Sequence, residues 1–436
     1  MGEISLPLTK NGLAYIVDFN EVLDDFLNDY PLYFYPTTAQ FYQYKEAVGL
    51  FRVLEENEVR RYILLYLGDY WNPKIENSML NALPVYAKVI KELNDKKDII
   101  VCQNGVLSLN DLKLRGFSRK YHATFGLGVP YDPKAVAVTY DAFLMDIACG
   151  DKVLVDTLNE LLGYILCSSI QAEKCIILWG AGANGKSTFL NLITACVGVQ
   201  NISNISVTEI NSKSFARHFL ADKRLNIIYE AESDMTISGL MKGAVKQIVT
   251  GDATSAEIKG GKVYSFIPKV KILAATNVFP KIDRIPDHAT ARRLLILPFN
   301  NHFSPDKARK NMLSLLLNEQ AGILNRAIEG LLRLKNNGWK FSYEQKSQQH
   351  LRDMVCSEFP VFEFVEEKIV ADAESRVTYQ VLRNAFLKWC KQNGVTSLLS
   401  EREFASELKQ SLAKLDIPYD KSKSGGERGI SGIALK

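Results

Sequence analysis

Cys175-Ile-Ile-Leu-Trp-Gly-Ala-Gly-Ala-Asn-Gly-Lys-Ser-Thr188 decides how the rest of this 436-residue chain is read. Gly180 opens a G-x-x-x-x-G-K-S spacing, and Gly185, Lys186 and Ser187 close it. An apolar run from Cys175 to Trp179 precedes it, and a helix-like run from Thr188 to Val197 follows. Strand, loop and helix in that order are the context in which this spacing holds phosphate. Glycines let successive backbone N–H groups curl around a phosphate where a Cβ would block the approach. The helix N-terminus adds partial positive charge. The stretch therefore predicts a nucleoside triphosphate with Mg²⁺, held by Gly180, Ala181, Gly182, Ala183, Asn184, Gly185, Lys186, Ser187 and Thr188. Lys186 would reach the β and γ phosphates, and Ser187 would offer its hydroxyl to the metal.

Working outward, composition bounds the class. Hydrophobic residues make up 47% and charged residues 23%, which supports a sizeable core and argues against disorder. Seven cysteines with no C-x-x-C pair argue against a disulfide framework or a zinc site and fit a reducing cytoplasm. Met1 to Ser5 lacks a basic-then-apolar leader. No run approaches the roughly 18 apolar residues of a membrane span. The expectation is a cytoplasmic chain with no membrane partner. A formal charge of +4 is small for this length, so any nucleic-acid surface must be local.

Residues 171–303 alternate strands with helices, the pattern of a parallel sheet in a three-layer α/β domain. Leu225 to Glu232 is an apolar run ending in acid. Val270 to Asn277 is one ending in a polar pair, and Leu294 to Phe299 is a further strand. Ligands of such sheets sit beyond the carboxyl ends of the strands. Glu230 is thus placed to hold Mg²⁺. Glu232, two residues on and on the same side of an extended chain, could supply a second carboxylate to orient water. Asn277 could touch the γ-phosphate. Arg292 and Arg293 stand just before the last strand, where either could fork onto phosphate oxygens. Lys259 and Lys262 flank the Gly260-Gly261 turn of an expected hairpin, suited to gripping a phosphodiester backbone.

Upstream, residues 1–170 begin with a short helix over Glu21 to Asn28. A three-strand meander follows over Pro31 to Tyr35, Phe41 to Tyr44 and Gly49 to Leu54, whose tyrosines read as packing groups. Helices are expected over Glu58 to Leu67, Ser78 to Leu93, 138–149 and 152–169, with a hairpin about Asn104-Gly105. Downstream, residues 304–350 read as helices ending in a polar linker from Trp339 to His350. Residues 351–436 read as a winged helix: a helix over Val377 to Asn393, another over Glu401 to Leu415 opened by a Ser400/Glu403 capping box, then two strands. Lys421, Lys423 and Arg428 in the wing suit backbone contact.

This ordered set resembles superfamily 3 helicases, specifically the phage, plasmid and poxvirus primase–helicase family within the AAA+ class. The resemblance is carried by the phosphate loop, the acid strand ending at Glu230, Lys246 with Gly251-Asp252, the Lys259/Lys262 hairpin, Thr276-Asn277 with Pro280, and Arg292 to Phe299. It extends to a collar around Asn104 to Leu107 and Tyr131 to Pro133, to lid helices over Glu319 to Leu334, and to the C-terminal winged helix. It implies an AAA+ core with an N-terminal α+β and helical collar. It also implies an ATP-hydrolysing hexameric ring that translocates on single-stranded and forked DNA, with Arg292 or Arg293 acting across a subunit boundary. The split acidic pair leaves open which of Glu230 and Glu232 orients water. No D-x-D-type motif lies upstream, so priming is not expected, and a separate primase/polymerase or single-strand-binding protein is the expected partner. The alternative reading is a DNA-binding replication initiator whose ATPase drives assembly on an origin.

Overall fold

The computed structural model describes residues 3–5, 16–229, 235–258, 263–304, 311–396, 399–424 and 426–436. Its centre is a five-stranded sheet whose strands are β1 (Cys175–Trp179), β2 (Ile202–Ser203), β3 (Leu225–Ile228), β4 (Lys271–Thr276) and β5 (Leu294–Pro298). All pairings are parallel, and the spatial order is β2-β3-β4-β1-β5. The strands are buried on both faces, so they read as continuous apolar runs rather than as alternation.

Their side chains nevertheless divide by the two-residue period of a strand. Ile176, Leu178, Leu273, Leu295 and Leu297 enter one core, and Cys175, Ile177, Ile272, Leu294 and Ile296 enter the other. The first core is closed by α1 (Val138–Ile147), α2 (Lys152–Leu166), α3 (Lys186–Val197) and α4 (Gln320–Asn336). The second is closed by the short helices Val207–Ser212 and Gly243–Thr250 and by α5 (Glu344–Glu358). Three layers result. Among the described residues, no helix is long and apolar enough to cross a membrane.

Helices α2 and α4 cross unusually closely. A Cβ at Gly163 would lie 2.1 Å from Ala327 O, and one at Gly330 would lie 2.4 Å from Asn159 C. Glycine inside a helix costs about 1 kcal/mol against alanine, and here the contact explains it. The same crossing buries Glu160, which accepts from Arg333 Nε (2.8 Å) and Ser342 N (2.8 Å).

Two sequence expectations are corrected. The helix expected over Ser78 to Leu93 spans Pro73–Tyr86, after which Lys88–Val89 pairs in parallel with Tyr33–Tyr35. Ile90 and Leu93 then join Tyr33, Tyr42 and Phe51 in a small core, so sheet completion overrides local helix preference. The stretch from Trp339 to His350 is not a free linker. Phe341 and Tyr343 are buried, and α5 begins at Glu344. Its polar residues cap the exposed edge of β5: Ser347 Oγ accepts from Ile296 N (2.7 Å), and Gln348 Nε2 donates to Ala291 O (2.8 Å). An uncovered edge strand is a liability, and the polar composition that reads as linker serves to cover it.

The meander appears as expected, Tyr33–Tyr35, Gln40–Lys45 and Leu50–Leu54, with aromatic pairs such as Tyr33–Phe51 at 5.0 Å. The C-terminal unit contains more than the expected two helices and two strands. A helix (Pro360–Lys368) and a strand (Ile369–Thr378) precede them, and that strand makes the sheet three-stranded. Phe364, Phe386, Trp389, Phe404, Leu408 and Ile433 fill its core. The capping box forms, with Ser400 N donating to Glu403 Oε2 (2.8 Å) and Glu403 N to Ser400 Oγ (3.3 Å).

Candidate nucleotide site and nucleic-acid surfaces

Register brings the loop and its neighbours to one edge of the sheet. Trp179, the last residue of β1, pairs with Thr276 on one side and Pro298 on the other. The loop is pinned between the two flanking strand ends by Gly180 N to Thr276 O (3.3 Å), Phe299 N to Trp179 O (2.7 Å) and Phe303 N to Ala183 O (2.8 Å). A Cβ at Gly180 would sit 2.2 Å from Phe299 O, so the loop closes only with glycine there. Ala183 (φ +59°) and Gly185 (φ +87°) are left-handed and flank Asn184, a backbone alternation that gathers N–H groups into an anion-binding concavity.

Asn184 is nearly fully buried and staples the loop internally. Its Nδ2 donates to Ala181 O and to Phe299 O (3.0 Å), while Oδ1 accepts from Lys186 N (3.3 Å). Sequence reasoning gave Asn184 only a place in the phosphate cradle. The staple role follows from its four hydrogen-bonding positions in a buried turn, but the partner Phe299 O is 115 residues away and not legible locally.

Lys186 opens α3 and is 7% exposed. Its Nζ donates to Gly180 O, to Asn184 Oδ1 (3.3 Å) and to Asn277 Oδ1 (3.1 Å). No carboxylate is among these partners, and burial holds its pKa below the usual lysine value. Among the described residues the ammonium is therefore offset by neutral oxygens, an arrangement that polyphosphate oxygens fit. Ser187 is exposed on the first turn and Thr188 is half-buried. Asn277 is fixed by its predecessor, since Val278 N donates to Thr276 Oγ1 (3.2 Å). The structure thus unites Lys186, Asn184 and Asn277.

It does not unite all the candidates. Glu230 and Glu232 lie outside the described residues; β3 ends at Ile228, which pairs with Ala274 of β4. Arg292 and Arg293 stand at the opposite end of the sheet, since Cys175 pairs with Leu294 and Cys175 N donates to Arg293 O (2.8 Å). Both lie near Glu173, at 3.8 and 3.5 Å, and Arg293 Nη1 also donates to Ala289 O (2.8 Å). Five residues of strand, at about 3.3 Å each, separate them from the loop within one chain.

The inserted hairpin forms from Thr254–Glu257 and Val263–Phe266. Arg217 Nε donates to Ser255 O (2.6 Å) and Ser214 Oγ to Glu257 Oε2 (2.7 Å), and His218 Nδ1 lies 2.7 Å from Tyr264 OH. Lys259 and Lys262 lie outside the described residues. In the C-terminal sheet Lys421, Lys423 and Arg428 are all exposed, and Lys423 faces Arg428 across the strands. Arg376 extends this cationic patch, donating to Ser422 Oγ (3.0 Å) and Glu427 O (2.9 Å). Sequence reasoning missed it because its strand was not expected. The neighbouring helix Glu401–Lys414 carries Glu401, Glu403 and Glu407 against Arg402, Lys409 and Lys414, so it is not itself basic.

Comparison with known proteins adds to this geometry. Residues 60–149 match the family described as D5 N terminal like, and residues 360–427 match Poxvirus D5 protein-like. Residues 178–293 match a family of unknown function, DUF5906. A protein of Invertebrate iridescent virus 6 named "Putative helicase 184R" is 27% identical over 233 residues, 49% of this chain and 24% of that protein. One of Acanthamoeba polyphaga mimivirus named "Putative helicase L207/L206" is 28% identical over 156 residues, 35% of this chain and 16% of that protein. The chain thus spans a quarter or less of the length of these viral relatives. Among solved structures, the apo C-terminal region of NrS-1 superposes with a TM-score of 0.59 over 96% of this chain and 100% of that one, at 12% identity. A second form gives 0.54 over 94% and 98%, also at 12% identity; both are likenesses of fold alone. The D5-type matches on either side of the parallel sheet, with the viral relatives, support a primase–helicase family of the phage and poxvirus type.

Proposed function

We propose that this chain is the motor of an ATP-driven replicative DNA helicase of a phage, plasmid or other mobile element. In this reading it is a superfamily 3 AAA+ enzyme that works as a hexameric ring on single-stranded and forked DNA. The observation that carries the reading is the meeting of Lys186 Nζ and Asn277 Oδ1 at 3.1 Å, at the carboxyl edge of strands ordered β2-β3-β4-β1-β5. A phosphate chain held by the loop amides would offer Lys186 charged acceptors in place of carbonyl and amide oxygens, and would free Asn277 to report on the terminal phosphate. Mg²⁺ would be held by Ser187 with Glu230, and it would neutralise charge between the phosphates. Glu230 or Glu232 would orient the attacking water.

Arg292 and Arg293 face away from their own chain's loop, which supports their use on a neighbouring subunit's nucleotide and hence a ring. The hairpin bearing Lys259 and Lys262 would track the DNA backbone. The C-terminal unit, in helix, strand, helix, helix, strand, strand order, reads as a winged helix. The cationic wing favours a second reading in part, a DNA-binding initiator whose ATPase drives assembly. Strand displacement on a forked DNA, wild type beside Lys186→Ala, separates the two. ATP-dependent displacement by the wild type alone supports the motor. Hydrolysis without displacement overturns it in favour of the initiator, and unaltered turnover by Lys186→Ala refutes the site itself.

A further inference from the structure

A second cationic cavity lies away from the nucleotide loop, where the N-terminal unit meets the amino end of the sheet. It encloses about 380 Å³ between the Tyr35–Thr38 turn, the Lys91–Asn94 segment, the Ala221–Arg224 approach to β3 and the root of the inserted hairpin. Lys91, Lys223, Arg224 and Lys269 line it against Glu92 and Asp222.

Arg224 is the unusual member. It is 4% exposed, its guanidinium lies 4.8 Å from the Phe125 ring centroid, and Nη2 donates to Asn94 Oδ1 (2.8 Å). Among the described residues, its buried Nη1 has no hydrogen-bond partner, and the Asp222 carboxylate acts on the guanidinium through space without a direct ion pair. A buried charged donor left unmade is costly, and such a group calls for an explanation. Lys269 adds to the surplus. Its Nζ is held by Leu93 O (2.9 Å) and Asn94 O (2.8 Å), and its nearest acid, Glu92, is 3.8 Å away. Lys223 is committed to Gln200 O (2.6 Å), and Lys91 is exposed at the mouth.

We propose that this cavity binds a phosphate group through Arg224 Nη1, Lys269 and Lys91. A guanidinium beside an ammonium matches the oxygens of a tetrahedral oxyanion. The phosphate could be free or part of a nucleic-acid backbone. The inference stands apart from the helicase reading, because its test reads binding in a chain whose nucleotide loop is disabled.

The test uses full-length Lys186→Ala protein. Its thermal unfolding is followed against pyrophosphate and, separately, against an oligothymidylate lacking a 5′ phosphate. Lys91→Glu, at an exposed position, should leave the unliganded Tm unchanged and weaken the apparent Kd by about tenfold or more. Arg224→Gln, which keeps a donor for Asn94, should weaken the apparent Kd similarly, read against its own unliganded Tm. Weakening toward pyrophosphate identifies a free-phosphate site; weakening toward the oligothymidylate alone identifies a backbone site. Stabilisation by neither ligand, or equal affinity in Lys91→Glu and its parent for both, overturns the proposal.

Discussion

Lys271 opens the central strand β4 and is 2% exposed. Its Nζ donates to Cys167 O, at the C-cap of α2, and lies 5.1 Å from the Tyr164 ring centroid. Burial, with smaller contributions from Arg224 and Lys269, pushes its pKa down from 10.5 to about 7. The sign of the consequence follows from proton counting. Between pH 7 and 10.5 the unfolded chain holds this proton and the folded chain does not, so stability rises with pH across that window. Below about pH 7 both forms are charged, and the penalty is constant at about 5 kcal/mol, from 1.36 kcal/mol for each pH unit of the interval. Lys271→Met removes the penalty but leaves Cys167 O unpaired, at a cost of about 1–3 kcal/mol. The variant should therefore be more stable than wild type at pH 7 by about 2 kcal/mol or more. Between pH 7 and pH 9 the wild type should gain about 2 kcal/mol relative to the variant. Urea unfolding of both proteins at the two pH values measures the change in the difference, which cancels the other titrating groups. A gap that stays the same between pH 7 and 9 would refute the assignment of a neutral buried lysine.

Three further variants probe other parts of the molecule. Gly330→Ala should destabilise by about 3 kcal/mol through overpacking, because its Cβ would meet the Asn159 backbone. Gly116→Ala, which meets nothing within 4 Å, should stay within about 0.5 kcal/mol; equal Tm values for the two would remove the close-crossing argument. Replacing Lys421, Lys423 and Arg428 together by Ala should lower the slope of log K against log salt for duplex DNA by about 3. An unchanged slope would free the wing from backbone contact.

The sheet was legible because burial on both faces leaves strands as unbroken apolar runs, and Cys175 to Trp179 and Leu294 to Phe299 carry no competing signal. The loop was legible because its chemistry needs glycine at fixed places. What sequence could not supply is partnership at distance. Asn184 is defined by Phe299 O, Arg224 by Asn94 and Phe125, and α5 by the edge of β5. Ser347 and Gln348 looked like linker because polar residues that satisfy a sheet edge have the composition of polar residues that face water. The strand Ile369–Thr378 was missed for a related reason: its residues are mostly half-buried or exposed, and pairing with Glu427–Leu435 makes it a strand.

The ends of the sheet differ in a way that links these observations. Four of the strands enter behind or upon a cation: Lys174 before β1, Arg224 before β3, Lys271 at the start of β4 and Arg293 before β5. Helices that return along a parallel sheet finish at this amino end, where their last carbonyls lack partners and their dipoles favour positive charge. Lys271 meets Cys167 O in this way, while Lys174 and Lys223 bind the carbonyls of Arg292 and Gln200. The carboxyl end instead gathers backbone amides around one buried ammonium. The chain thus carries the glycine-rich loop with its buried lysine at one end of the sheet and a group of lysines and arginines at the other. Stacking such ends side by side in a ring would bring the arginines of one copy toward the nucleotide of the next. Arg224 and Lys269 lie at the same amino end but are turned toward the N-terminal unit, so the cation surplus serves two directions. Loss of the Arg224 site should accordingly leave nucleotide affinity at Lys186 intact, whereas loss of Arg292 or Arg293 should slow turnover only in assembled protein.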